Sequence, residues 1–187
     1  MEMEEPCCLT GLDRQVKFNP MFSDLFQPEL LGRVTKGDVP ESFQSALAAG
    51  WEADPSGAWV LRLFSESYRG DRSSFTDLTG YEAAVNGRAI PDLDLAADHP
   101  ARAEVLVRRA YSFAHCALFA LNQTLGAPPG SAYISIGPTL YDEGLVTGSV
   151  TFCVQHNEEE PYLADISRVT LSGILVVDSD DCVSPLV

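Results

Sequence analysis

The 187-residue chain carries 27 Asp and Glu against 12 Lys and Arg, a formal net charge of −15. A field of that sign repels phosphate backbones and anionic headgroups, so nucleic-acid and membrane-surface partners are disfavoured. At 45% hydrophobic the chain holds enough apolar mass for a core without disulfide or metal staples, and it reads as one α+β domain over 1–187.

Residues 1–37 are interrupted by Pro20, Pro28, Gly32 and Gly37 and read as an irregular, short-helical segment, with MFSDLF and PELLGR its best helical pieces. GDVPESFQSALAAG, 37–50, predicts a short helix: Asp38 caps it, Glu41 completes a capping box, Pro40 suits an early position and Gly50 the stop. GAWVLRLFSES, 57–67, reads as a strand with Trp59, Leu61 and Leu63 on one face and Val60, Arg62 and Phe64 on the other. Within 75–90, TDLTGYEAAVNGRAI fits either a helix begun by a Thr79–Glu82 capping box or a hairpin turning at Asn86–Gly87; the helix is preferred.

The clearest element is the helix predicted over 99–125, with Asp98 as cap, Pro100 in the first turn and Gly126 as stop. Leu106, Val107, Ala110, Phe113, Ala114, Ala117, Leu118, Leu121 and Leu125 fall on one arc, wide enough to pack across a sheet. SAYISIGPTLY, LVTGSVTFCVQ and LADISRVTLSGILVVD then read as strands. The short connections at 142–144 and 156–162 predict antiparallel neighbours. The expected fold is α+β: an antiparallel sheet of about four strands, drawn mainly from 57–67 and 131–178, against one long helix, with short helices in the N-terminal half.

His156 is followed by Glu158, Glu159 and Glu160, ligand types for a metal. Consecutive side chains diverge, however, and the stretch reads better as a solvated turn whose charges discourage edge pairing, or as an acidic contact for a basic partner. Asp178, Asp180 and Asp181 begin like a calcium loop but lack its glycine and distal glutamate. With Asp165 they make the last quarter of the chain strongly acidic. Neither a metal nor a cofactor is expected. On the long helix His115 shares a polar stripe with Glu104, Arg108 and Asn122, which suits either a cleft wall or an exposed face carrying a Glu104–Arg108 pair. On the strands, Tyr133 and Ser135, then Thr151, Cys153 and Gln155, then Thr170 and Ser172 would form a polar, hydroxyl-lined face together with Arg62, either ligand-binding or plain solvent-facing.

Cys7, Cys8, Cys116, Cys153 and Cys182 form no CxxC and no zinc-type spacing, and reduced thiols in a cytoplasmic protein are the simplest reading. The acidic MEMEEPCC lacks the apolar run of a signal peptide, and no run of about 18 apolar residues offers a membrane span. None of the GxSxG, P-loop, dinucleotide or HExxH patterns occurs, and the RGD of YRGD reads as a loop. The expectation is a non-catalytic acidic protein that binds a basic partner, in the manner of an immunity protein, antitoxin or chaperone, through Glu158, Glu159, Glu160, Asp165, Asp178, Asp180 and Asp181. The alternative is a small-molecule enzyme or binder, its pocket between the long helix and the sheet or on the polar sheet face, using Arg62, Arg108, His115 and Cys153.

Overall fold

The alternation in 130–154 gives the two longest strands of the protein, β6 (Gly130–Pro138) and β7 (Val146–Val154), paired antiparallel along their whole length. They anchor a six-stranded antiparallel sheet in the order β1-β2-β8-β6-β7-β5, where β1 is Cys7–Cys8, β2 Lys17–Phe18, β5 Arg88–Ala89 and β8 Gly173–Asp178. This computed structural model describes residues 7–8, 16–139, 141–142 and 144–187. The expectations for the acidic N-terminus and for the Cys7 and Cys8 thiols fall outside what is described. The sheet is thus wider than the four strands expected, by short two-residue edge ribbons.

The long helix forms as α5 (Arg102–Asn122), shorter at both ends than the sequence suggests. Its cap is Ala101, without a side-chain hydrogen bond, rather than Asp98, and Leu125 falls beyond the helix and is fully exposed. Register puts Ala132, Ile134, Ile136, Val150, Phe152, Leu175 and Val177 on one sheet face, and α5 packs against it. Phe113 of α5 meets Phe152 edge-on at 5.5 Å and Phe43 at 4.3 Å. Truncating an aromatic at such a site costs about 3–5 kcal/mol. Among the described residues no helix is long and apolar enough to cross a membrane.

The N-terminal half wraps the other sides of α5. Helix α1 (Pro20–Leu25) and the 3₁₀ turn at Pro28–Arg33 occupy the two expected helical pieces. Helix α2 (Glu41–Ala49) ends at Gly50, whose φ of 72° is the left-handed conformation expected of a glycine stop. Asp38 is not its cap; the Asp38 carboxylate accepts from Thr35 N–H in a preceding 3₁₀ turn, and α2 begins after Pro40.

The 57–67 strand is the main departure. Only β4 (Trp59–Leu61) is extended, and it pairs with β3 (Trp51–Ala53) in a separate two-stranded sheet. From Arg62 the chain turns into α3 (Arg62–Ser67), because a helical turn puts Leu61 and Phe64 on one buried side against α2 and α5. The 75–90 region is helical: α4 (Leu78–Asn86) is capped by Asp77, whose Oδ1 accepts from Gly80 N–H. Thr79 and Glu82 therefore form no capping box.

Strands β7 and β8 both pair antiparallel with β6 from opposite sides, so they run parallel to each other. A parallel pair needs a crossover. The stretch 155–172 is that crossover rather than the predicted hairpin turn plus strand, and it contains a 3₁₀ turn at Ile166–Arg168. It passes over the sheet face opposite α5. Buried Asn19 fixes its far end: Nδ2 donates to Val169 O and Ser172 O, while Oδ1 accepts from Ile174 N–H and Phe22 N–H.

Candidate functional site

Period-two alternation places Ser131, Tyr133 and Ser135 of β6 opposite Cys153, Thr151 and Ser149 of β7, and opposite Asp178, Val176 and Ile174 of β8. The predicted hydroxyl-bearing face therefore exists. It is not an open solvent face: the 155–172 crossover and α4 cover it, burying Tyr133, Cys153, Ile166, Ile174 and Val176 as a second apolar cluster. Between crossover and sheet lies a cleft of about 490 Å³. Tyr133 and Val176 form part of its floor, Ile166 faces them from the crossover, and Tyr162 stands over Tyr133 edge-on at 5.3 Å.

Among the described residues four carboxylates line this cleft, Glu159, Glu160, Asp165 and Asp178, against one ammonium, Lys17. The Asp178 carboxylate accepts from Ser131 Oγ at 2.6 Å and from Lys17 Nζ at 3.1 Å. The crossover is pinned to α4 by Glu159, whose two oxygens accept from Leu78 N–H, Thr79 N–H and Thr79 Oγ. Burial pushes the Glu159 carboxyl up, but these donors outweigh it and hold its pKa below the ordinary value.

Behind His156, which lines the cleft, lies a residue that sequence reading took for part of a cap. The side chain of Glu82 is completely buried; Oε1 accepts from Trp59 N–H at 2.7 Å and lies 2.8 Å from His156 Nε2, and Oε2 accepts from Val154 N–H at 2.8 Å. Burial raises its pKa, against the pull of the two backbone donors and of His156. The signal available in sequence was the stripe of Thr79, Glu82 and Asn86, polar residues on one side of a short helix, all of them buried.

Cys153 and His156 both line the cleft, but each has another partner, Thr79 O for the thiol and Glu82 for the imidazole. The pair is not arranged for nucleophilic attack. The Cys153 thiol points to Thr79 O at 3.6 Å, and burial, followed by the charges of Glu82, Asp77 and Glu159, raises its pKa and disfavours the thiolate. Tyr133 is likewise kept protonated, pushed up to about 12 by burial and then by neighbouring Cys153 and Asp178. Among the described residues no group of three or more His, Cys, Asp or Glu is placed to hold a metal ion.

The other sequence candidates are dispersed. Arg62 lies on α3, exposed and paired with Glu52 at 3.0 Å, and takes no part in the sheet face. Arg108 pairs with Asp38 at 3.0 Å, not with Glu104, in a separate groove that also holds Arg109 and Asp94. His115 is fully buried, its ring 6.1 Å from that of Tyr111, because the N-terminal segment covers α5 near it, where Ser112 Oγ donates to Thr35 O; of the rest of its stripe, Glu104 and Arg108 are half-buried and Asn122 is exposed. Thr170 and Ser172 belong to the crossover, not to a strand. Glu158, Asp180 and Asp181 are not among the cleft residues; Glu158, at φ 69°, and Asp180 are exposed, and Asp181 is half-buried. The space between α5 and the sheet is filled by core side chains, so the cleft lies on the sheet face away from the long helix. No family profile, curated protein or solved structure matches this chain.

Proposed function

We propose that this chain is a non-catalytic binding protein that holds a basic protein partner at the cleft beneath the 155–172 crossover, in an immunity- or chaperone-like role. The observation that carries this reading is the convergence of Glu159, Glu160, Asp165 and Asp178, from two stretches of the chain, around a cleft whose ammonium, Lys17, the one among the described residues, is already paired. The net charge of −15 extends the same sign over the molecule and favours rapid encounter with a cationic surface. The thiol in the cleft is held protonated, which supports binding over covalent chemistry.

The test is co-purification from the native organism followed by association kinetics with the captured partner. Glu160→Lys and Asp165→Lys are the informative variants, since both side chains line the cleft and are exposed, whereas Glu159 is committed to α4. The expected result is association slowed about tenfold or more by the double reversal, and slowed again by salt. Association indifferent to both changes overturns the reading. A small-molecule ligand is a second reading, favoured by a cleft volume within the range of about 300–1,000 Å³ usual for such sites.

A further inference from the structure

We propose that the cleft receives one arginine side chain of the basic partner, its guanidinium lying between the ring of Tyr162 and the carboxylate of Asp178. This rests on the partner reading above and names the group recognised. Four carboxylates against one ammonium make a cation the complementary occupant. The aromatic lining selects among cations: Tyr162 is 42% exposed beside the buried Tyr133, which leaves part of an aromatic side chain open to a planar cation. A guanidinium combines stacking there with a forked approach to a carboxylate, which an ammonium does not. Val176 in the floor and Ile166 on the crossover suit the apolar stem that an arginine carries and a bare metal ion lacks.

Lys17 fits as the internal stand-in. Its Nζ occupies Asp178 Oδ2 at 3.1 Å, but the Lys17 side chain is 54% exposed and the Asp178 side chain 30%. Exposed pairs of this kind hold weakly, so an incoming guanidinium can displace the ammonium. Asp178 Oδ1 stays oriented by Ser131 Oγ at 2.6 Å whichever cation is present.

The experiment is an NMR titration of the full chain with N-acetyl-arginine amide and, separately, N-acetyl-lysine amide. The arginine probe is expected to shift the resonances of Lys17, Tyr162 and Asp178, and to bind more tightly than the lysine probe. Tyr162→Ala and Asp178→Asn are expected to weaken it about tenfold. Lys17→Ala, which removes the competitor, is expected to tighten it several-fold, an effect that general loss of structure does not produce. Equal binding of both probes, shifts spread evenly over exposed acids such as Glu158 and Asp180, or no tightening in Lys17→Ala overturns the proposal. If the captured partner still depends on salt and on Glu160 and Asp165 while the arginine probe leaves the cleft unchanged, this inference falls and the partner reading stands. If the probe fills the cleft while charge reversal leaves the partner untouched, the cation site stands and the partner reading falls.

Discussion

Glu82 and Asn86 stand one helical turn apart on α4, and their side chains join the edge of β4 to the edge of β7. Glu82 accepts from Trp59 N–H on one side and Val154 N–H on the other. Asn86 accepts from Leu61 N–H and donates to Trp59 O and Phe152 O. A buried sheet edge must find partners for its backbone groups. Here two side chains supply what a further strand would, and they lock the small sheet, the large sheet and α4 into one arrangement.

Replacing Glu82 with Gln tests the bridge. The amide keeps one acceptor, so whichever way it is turned, either Trp59 N–H or Val154 N–H faces an NH₂ group. A buried donor left without an acceptor costs about 1–3 kcal/mol. The expected result is a fall in stability of that size by urea unfolding, with the slope unchanged. A change below about 0.5 kcal/mol would show that the carboxylate is not what holds these edges.

The same residue gives a pH dependence of definite sign. Burial raises the Glu82 pKa above the 4.5 of an ordinary glutamate, so the folded state binds this proton more tightly than the unfolded one. Its contribution is fully present below the unfolded pKa and is lost as pH rises through the folded value. The advantage of the native protein over Glu82→Gln should therefore shrink as pH rises above 4.5 and through the folded value. Carbon-13 NMR of the Glu82 carboxyl should give a midpoint above the usual range. It should move higher still in His156→Asn, because His156 favours the carboxylate. A midpoint at or below 4.5 would refute the direction.

Much of this was readable in advance, and the failures share a cause. The apolar arc of α5, the glycine stop at Gly50 and the alternation of β6 and β7 are local patterns with large buried areas behind them. The hydroxyl face containing Tyr133 and Cys153 followed from the same alternation. What covers that face did not, since it depends on β8 pairing beyond β6, a long-range choice that turned a predicted hairpin into a crossover. His115 shows the same limit: its wheel sector was identified correctly, but the segment that buries it lies some 80 residues earlier, where Thr35 accepts from Ser112. Glu82 was misread because its spacing from Thr79 matches a capping box and its real partners are Trp59, Val154 and His156.

Glu159 should behave as a helix cap supplied from a distant loop. Its carboxylate accepts from Leu78 N–H and Thr79 N–H in the first turn of α4, 81 and 80 residues earlier. Glu159→Gln removes the charge that these donors favour, at a cost of about 0.5–1 kcal/mol. Amide exchange should quicken at Leu78 and Thr79 before it does in β6. Because the Glu159 pKa is lowered, its contribution is present above an ordinary carboxylate pKa and fades as pH falls through the folded value. Unchanged protection at both amides in the variant would show the cap to be dispensable.

The thiol of Cys153 offers a direct check on whether the cleft performs covalent chemistry. Alkylation requires the thiolate, and burial together with the charges of Glu82, Asp77 and Glu159 disfavours it. Cys153 is also only 4% exposed, with its sulfur engaged with Thr79 O. In the folded protein at about pH 8, where a free thiol near its pKa of about 8.5 reacts readily, Cys153 should resist iodoacetamide. Its labelling, followed by peptide mass spectrometry, should track unfolding in urea, and half-buried Cys116 should be modified first. Native-state labelling of Cys153 at the rate of an exposed thiol would mean that the cleft opens and activates its sulfur, and the binding reading would then give way to a catalytic one.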